Sequence, residues 1–219
     1  MRFRGHRKAS ARRRRRPERS RPRSQYPVKW LSRDEVERFF AQIPNENVRD
    51  LLLFDLIYRH GLRRGEAALM ELRDIRGDEI WIFRLKDGDG HWHPLDARSK
   101  QLLEAYLAVR GKDRCRYLFR GRRRGRAPLS DGTISYLYHR YATAAELPAD
   151  LRHVHALRHS CGTHLGRYAH WDISDVAWWL GHKDIGSTAI YFQGMPERIA
   201  ERYRELVQAQ PLARTGGFN

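Results

Sequence analysis

At 219 residues the chain has the length of one domain, or of one domain with a tail, and it is long enough to bury a core without disulfide or metal staples. Its 43 Lys and Arg against 26 Asp and Glu leave a formal net charge of +17, which points to a polyanionic partner. No apolar run approaches the roughly 18 residues of a membrane-spanning helix, and the Arg-rich start has no apolar segment that would make it a secretory signal. Cys115 and Cys161 stand in no CxxC spacing, which reads as reduced thiols.

The charge is uneven. Residues 1–25 hold twelve Lys or Arg against the single acid Glu18, so eleven of the seventeen positive charges sit there and about six remain for the rest. Low complexity, charge and Pro17 and Pro22 predict a disordered basic tail over residues 1–27, and the Pro-broken Arg run lacks the amphipathic spacing of a transit peptide. The folded domain is expected over residues 28–219.

Ser32 and Glu35 have capping-box spacing, with Leu31 and Val36 at staple positions, so a first helix should run from there to about Gln42. Asn47 can cap a second helix whose apolar run begins at Leu51 and ends at Gly61. A short helix follows over Gly65 to Leu72. The alternation from Glu79 to Leu85, the turn signal Asp87-Gly88-Asp89-Gly90 and the segment His91 to Leu95 predict a β-hairpin. Helical spacing returns over Ala97 to Arg110. After the basic loop Arg120 to Arg126, further helices are expected over Ser130 to Glu146, His155 to Tyr168 and Asp172 to Leu180. A last amphipathic helix, Pro196 to Gln208, places Ile199, Tyr203, Leu206 and Val207 on one side. The fold class is therefore mainly α with a small β-hairpin or sheet, and no internal repeat occurs. Trp178 and Trp179 are expected in the core, and His159 and His164 are expected to support the fold.

Four separated motifs carry chemistry. They are Gly61-Leu62-Arg63-Arg64-Gly65-Glu66; Lys86 at the end of a strand; His155-Ala156-Leu157-Arg158-His159; and Leu180-Gly181-His182 followed nine residues later by Tyr191. Together they supply a phenol, two guanidiniums, an ammonium and two imidazoles, a set suited to attack on a phosphodiester. His155 and Arg158 are three apart on one helix and can face the same phosphate. The histidines His153, His155 and His159, and the pair His91 and His93, have no carboxylate or cysteine at ligand spacing, so no metal and no cofactor are expected.

In order and spacing these motifs resemble the catalytic domain of the tyrosine recombinase (phage integrase) family, over about residues 31–208. Arg84-Leu85-Lys86, His93-Pro94-Leu95 and Leu157 to Gly162 resemble most the short fimbrial-switch invertases, which lack the DNA-clamping domain that precedes the catalytic one in most members. The resemblance implies a site-specific recombinase that cuts and rejoins duplex DNA through a 3′-phosphotyrosyl intermediate without metal or ATP. Tyr191 would be the nucleophile. Arg63 and Arg158 would neutralise the phosphate, and Lys86 would protonate the leaving 5′ oxygen. His155 and His182 would bond the phosphate or assist proton transfer, and Glu66 would orient Arg63 or a histidine. It also implies double-stranded DNA as partner, a dimer or tetramer on paired sites, a DNA-bending host factor, and a bacterial cytoplasmic, nucleoid-associated setting. Two other readings stay open: a non-catalytic DNA-binding module, which would form no covalent adduct, and a type IB-like topoisomerase, which would relax plasmid lacking any cognate site. The target sequence, and inversion as against excision or integration, are not legible in the chain.

Overall fold

The computed structural model describes residues 28–85, 90–121, 127–192 and 204. The basic tail, Lys86 with the turn Asp87 to Asp89, the run Arg122 to Arg126, and all of the expected terminal helix but Arg204 lie outside these residues. Eight α-helices are described: α1 Arg33–Ala41, α2 Val48–Arg59, α3 Arg64–Leu69, α4 Ala97–Arg110, α5 Asp131–Ala144, α6 His155–Tyr168, α7 Ile173–Leu180 and α8 Gly186–Ala189. Three short strands, β1 Ile75–Arg76, β2 Glu79–Ile82 and β3 His91–Pro94, lie between α3 and α4.

Caps set several of the boundaries. The Ser32 hydroxyl accepts from the Glu35 N–H at 3.2 Å, while Glu35 Oε2 accepts from the Ser32 N–H at 2.8 Å, closing the expected box on α1. Asp96, Ser130 and Asp172 cap α4, α5 and α7 in the same way through their side-chain oxygens. Asn47 takes the N-cap position of α2 but makes no side-chain cap bond. That helix is held instead by burial: Leu51 through Ile57 are all buried, and α2 packs against both α4 and α6. The short third helix ends at Leu69, earlier than the expected Leu72, and its place is taken by a 3₁₀ turn at Leu72–Asp74.

The hairpin supplies β2 and β3 of a three-stranded antiparallel sheet, ordered β1-β2-β3. Ile75 and Arg76 are too short a strand to show a period, and pairing with Ile80 and Glu79 is what orders them. In the β2–β3 register Ile80 faces His93, Trp81 faces Trp92 and Ile82 faces His91. Ile80 and Ile82 are fully buried, so alternate residues of β2 feed the main core.

That core holds Phe39, Phe54, Ile57, Leu118, Tyr138 and Leu157 among others. A second cluster joins Val28, Cys161, Val176, Leu180 and Tyr191. Cys115 and Cys161 are free and buried. Trp179 is half-buried in contact with the second cluster, but Trp178 departs from expectation: it is 51% exposed and stacks on His91, with ring centroids 4.6 Å apart. Adjacent residues on α7 point about 100° apart, which lets Trp179 turn toward the second cluster while Trp178 faces outward. Among the described residues, no helix is long and apolar enough to cross a membrane.

Candidate active site

One carboxylate organises the site. Glu66 lies in the first turn of α3, and its Oε2 accepts from the Arg63 N–H at 2.8 Å while Oε1 accepts from Arg63 Nη1 at 2.7 Å. Arg63 is thus held at the helix entrance with its guanidinium partly open to solvent. Arg84 donates to Glu66 Oε2 at 2.9 Å, and the Leu85 N–H reaches Oε1 at 3.3 Å. Arg158 Nη1 stands 3.9 Å from the same Oε2. Burial alone would raise the Glu66 pKa. The Arg84 guanidinium and the Arg63 bonds outweigh burial and hold the carboxyl below its ordinary value.

Arg84 is the site residue that reading the sequence did not single out for a role. It is 2% exposed, donates to the His60 carbonyl at 3.3 Å and the Trp179 carbonyl, and ties the end of β2 to α2 and α7. Gly181 lies against its stem: φ is +64°, and a Cβ there would meet Arg84 Cγ at 2.6 Å. Both the left-handed turn and the close approach therefore demand glycine. That turn brings His182 back to the site.

Arg158 projects from α6 and is 1% exposed. It donates to the Gly61 carbonyl, to the Leu180 carbonyl at 2.9 Å and to His182 Nε2 at 2.9 Å. Burial, then the charges of Arg63 and Arg84, lower its pKa to about 10, so it stays a cation at neutral pH. An arginine can only donate. His182 Nε2 is therefore the acceptor, and its Nδ1 carries the proton toward Thr188 Oγ1, 2.9 Å away. Both nitrogens of His182 are engaged, and burial followed by Arg158 lowers its pKa to about 4.

Tyr191 follows α8, with its N–H bonded to the Thr188 carbonyl at 3.0 Å. Its ring stacks near-parallel to His182, centroids 6.2 Å apart at 12°, and is 3% exposed. Burial raises the phenol to about 12. The hydroxyl lies 3.2 Å from His159 Nδ1. His159 is packed edge-to-face on His155, centroids 4.3 Å apart. His164, in contrast, sits as expected in the fold, with its Nδ1 2.8 Å from the Tyr58 hydroxyl.

The helical period explains why α6 carries so much of this. His155, Arg158, His159 and Gly162 fall at steps of three and four and share a face. Gly162 makes room for the phenol ring, because a Cβ there would lie 2.8 Å from Tyr191 Cε2 and 2.9 Å from Cδ2. Gly162→Ala gains about 1 kcal/mol in helix propensity, against about 1–3 kcal/mol for forcing the ring aside. A lower thermal midpoint is the expected outcome, measurable by calorimetry.

A cavity of about 830 Å³ opens over these groups. Arg63, His155, Arg158, His182 and Tyr191 all line it, with Leu85, His159, Arg64, Arg152 and His153 around them. Lys86 lies outside the described residues. Three buried or half-buried guanidiniums against one carboxylate leave two positive charges beneath the cavity. A phosphodiester carries one negative charge, and a pentacoordinate phosphorus carries two. Excess positive charge of this kind favours an anion, and the doubly charged species more than the singly charged one. Among the described residues, no three His, Cys, Asp or Glu side chains gather in a way that could hold a metal ion.

Comparison with known proteins identifies the family and the fold. The chain is 30% identical over 174 residues to tyrosine recombinase XerA of Thermococcus onnurineus, covering 78% of this chain and 60% of that one. The chain thus spans about 60% of the length of the curated relatives it matches. The crystal structure of XerA recombinase superposes with a TM-score of 0.70 at 23% identity, over 85% of this chain and 65% of that one. XerH site-specific recombinase bound to difH substrate, in a pre-cleavage complex, superposes with a TM-score of 0.68 at 24% identity, over 80% of this chain and 54% of that one. The fold is that of the tyrosine recombinase catalytic domain, and the phage integrase family model matches residues 29–198, so the chain belongs to the phage integrase family.

Proposed function

We propose that this protein is a site-specific DNA recombinase that cuts and rejoins duplex DNA by transesterification. The observation that carries the reading is the convergence of Arg63, His155, Arg158, His182 and Tyr191 on one cavity with excess positive charge. Family membership and the structural likeness to XerH site-specific recombinase bound to difH substrate support it. In this reading Tyr191 Oη attacks the scissile phosphorus, forming a 3′-phosphotyrosyl link as the bond to the 5′ oxygen breaks. Arg63 and Arg158 neutralise the charge on the non-bridging oxygens. His182, fixed by Arg158 and Thr188, and His155 at the cavity mouth complete the phosphate's surroundings. Lys86 gives the 5′ oxygen its proton. Glu66 and Arg84 act as positioning residues. The ester bond is conserved in the phosphotyrosine, so rejoining needs no ATP.

The reading extends to architecture. Residues 28–219 form the catalytic domain, and residues 1–27 contact phosphates without reading sequence, which makes binding steeply salt-dependent. The protein acts on double-stranded DNA as a dimer or tetramer, with the segment 196–208 docking on a neighbouring protomer. A DNA-bending host factor assists, and the setting is the bacterial cytoplasm at the nucleoid.

The test uses a library of nicked duplexes with a randomised centre, incubated with the protein in chelator. A nick lets the short 5′-hydroxyl strand diffuse away, so the covalent intermediate accumulates. The expected result is a protein–DNA adduct that survives denaturant and enriches a definite sequence, with the linkage mapped to Tyr191 by peptide mass spectrometry. No adduct would leave a non-catalytic DNA-binding module. Adducts without sequence enrichment, together with relaxation of any supercoiled plasmid, would indicate a topoisomerase.

A further inference from the structure

Attack by a phenol on phosphorus requires a destination for the phenol proton. Burial raises Tyr191 to about 12, so at neutral pH only about one molecule in 10⁵ would carry a preformed phenolate. The proton must therefore leave during attack. Two imidazoles lie against the ring, His159 and His182, and a third, His155, packs on His159. His182 is disqualified by its bonding, because Nε2 accepts from Arg158 and Nδ1 donates to Thr188. His155 stands at the exposed start of α6 and packs on His159. His159 Nδ1, 3.2 Å away, is the hydrogen-bond partner of the Tyr191 hydroxyl among the described residues.

We propose that His159 is the proton acceptor of the first chemical step, its Nδ1 taking the phenol proton as Tyr191 Oη bonds to phosphorus. The assignment rests on the recombinase reading above and adds a catalytic residue to it. The balance is complete. The Oη lone pair forms the Oη–P bond, the Oη–H bond breaks with its proton passing to Nδ1, and the P–O5′ bond breaks. The 5′ oxygen takes a proton from the general acid, the role given above to Lys86. On rejoining, the 5′ hydroxyl attacks, and His159 returns its proton to the departing phenolate.

The surroundings suit an acceptor. From α6 and the residues before it His153, His155 and Arg158 face His159, from beyond α7 His182, and from beyond α8 Tyr191. Burial first, and then His155, His153, Arg158 and His182, lower its pKa to about 3. The ring is therefore neutral throughout the working range, and its Nδ1 lone pair is available to the phenol. A weak base suffices because the phenol becomes strongly acidic as Oη bonds to phosphorus, so transfer runs downhill late in the step. The imidazolium then formed lies beside the phosphorane's negative charge.

The experiment measures adduct formation on the duplex that wild-type protein recovers from the nicked library, at saturating DNA, from pH 6 to 8.5. The variants are His159→Leu, which removes the acceptor, and His159→Asn, which keeps a polar atom near Nδ1 but no useful basicity. Thermal midpoints confirm that each is folded. Wild type is expected to show a nearly flat profile. Both variants are expected to run about 10²–10⁴-fold slower at pH 7, with half-saturating DNA concentration unchanged and rates rising about tenfold per pH unit as phenolate forms. A 5′-bridging phosphorothiolate, whose thiolate leaves unprotonated, should restore Lys86→Ala but not His159→Leu. A folded variant within threefold of wild type, a slow variant whose profile stays parallel to it, or rescue of His159→Leu by the sulfur substrate would overturn the assignment while wild-type adduct keeps the recombinase reading standing. No adduct from wild type would remove both.

Discussion

Tyr191→Phe is expected to abolish the denaturant-stable protein–DNA adduct while leaving the protein folded and able to bind duplex. The substitution removes one oxygen and keeps the ring, which lies in the second apolar cluster with Cys161, Val176 and Leu180. Its packing against Gly162 and its parallel stack on His182 depend on the ring alone. What is lost is the hydrogen bond to His159 Nδ1, worth about 1 kcal/mol net. Thermal unfolding should therefore shift by only a few degrees, and DNA affinity, which rests on the guanidiniums, should be retained. Adduct persisting in Tyr191→Phe would mean that another side chain attacks.

The second large effect is on stability. Glu66→Gln is expected to destabilise the fold by about 3–5 kcal/mol, because it leaves buried guanidiniums without their counter-charge. The carboxylate accepts four hydrogen bonds, from the Arg63 N–H and Nη1, Arg84 Nη1 and the Leu85 N–H, shared between both oxygens. An amide can accept on only one side, and its NH₂ would face donors on the other. The pH dependence follows from the depressed Glu66 pKa. The folded value lies below the unfolded value of roughly 4.3, so the native state prefers the ionised form. Its contribution is complete above the unfolded pKa and is lost as pH falls through the folded one. Urea unfolding should therefore show the gap between wild type and Glu66→Gln at pH 7 and a smaller gap near pH 3. A gap that stays constant across that range would remove Glu66 as the titrating group.

Most helices were legible because their causes are local. Ser32 with Glu35, Asp172 ahead of α7 and the apolar spacing of α4 act over three or four residues, the reach of a helical turn. The catalytic motifs were legible for a different reason. Chemistry restricts them to few residue types, and their order along the chain survives folding. Arg63, His155, Arg158, His182 and Tyr191 are therefore recognisable as one group from residue type and order alone. Strand β1 was not legible, since two residues show no period and pairing with β2 supplies the order.

Tertiary structure alone decided what those residues touch. Arg84 reads as one more charge at a strand end. It becomes a buried clamp only because Glu66, eighteen residues earlier, and the Trp179 carbonyl arrive around it. His159 reads as a helix histidine like His164. Thirty-two residues separate it from Tyr191, and the α7–α8 turn through Gly181 is what closes that distance to 3.2 Å. Trp178 and Trp179 are equivalent in sequence, yet one is exposed and the other half-buried. Local free energies are written in short spacings, so composition and pattern determine the elements and nominate the chemistry. Which nitrogen meets which oxygen depends on how helices far apart in the chain pack, and that is settled only when the whole core forms.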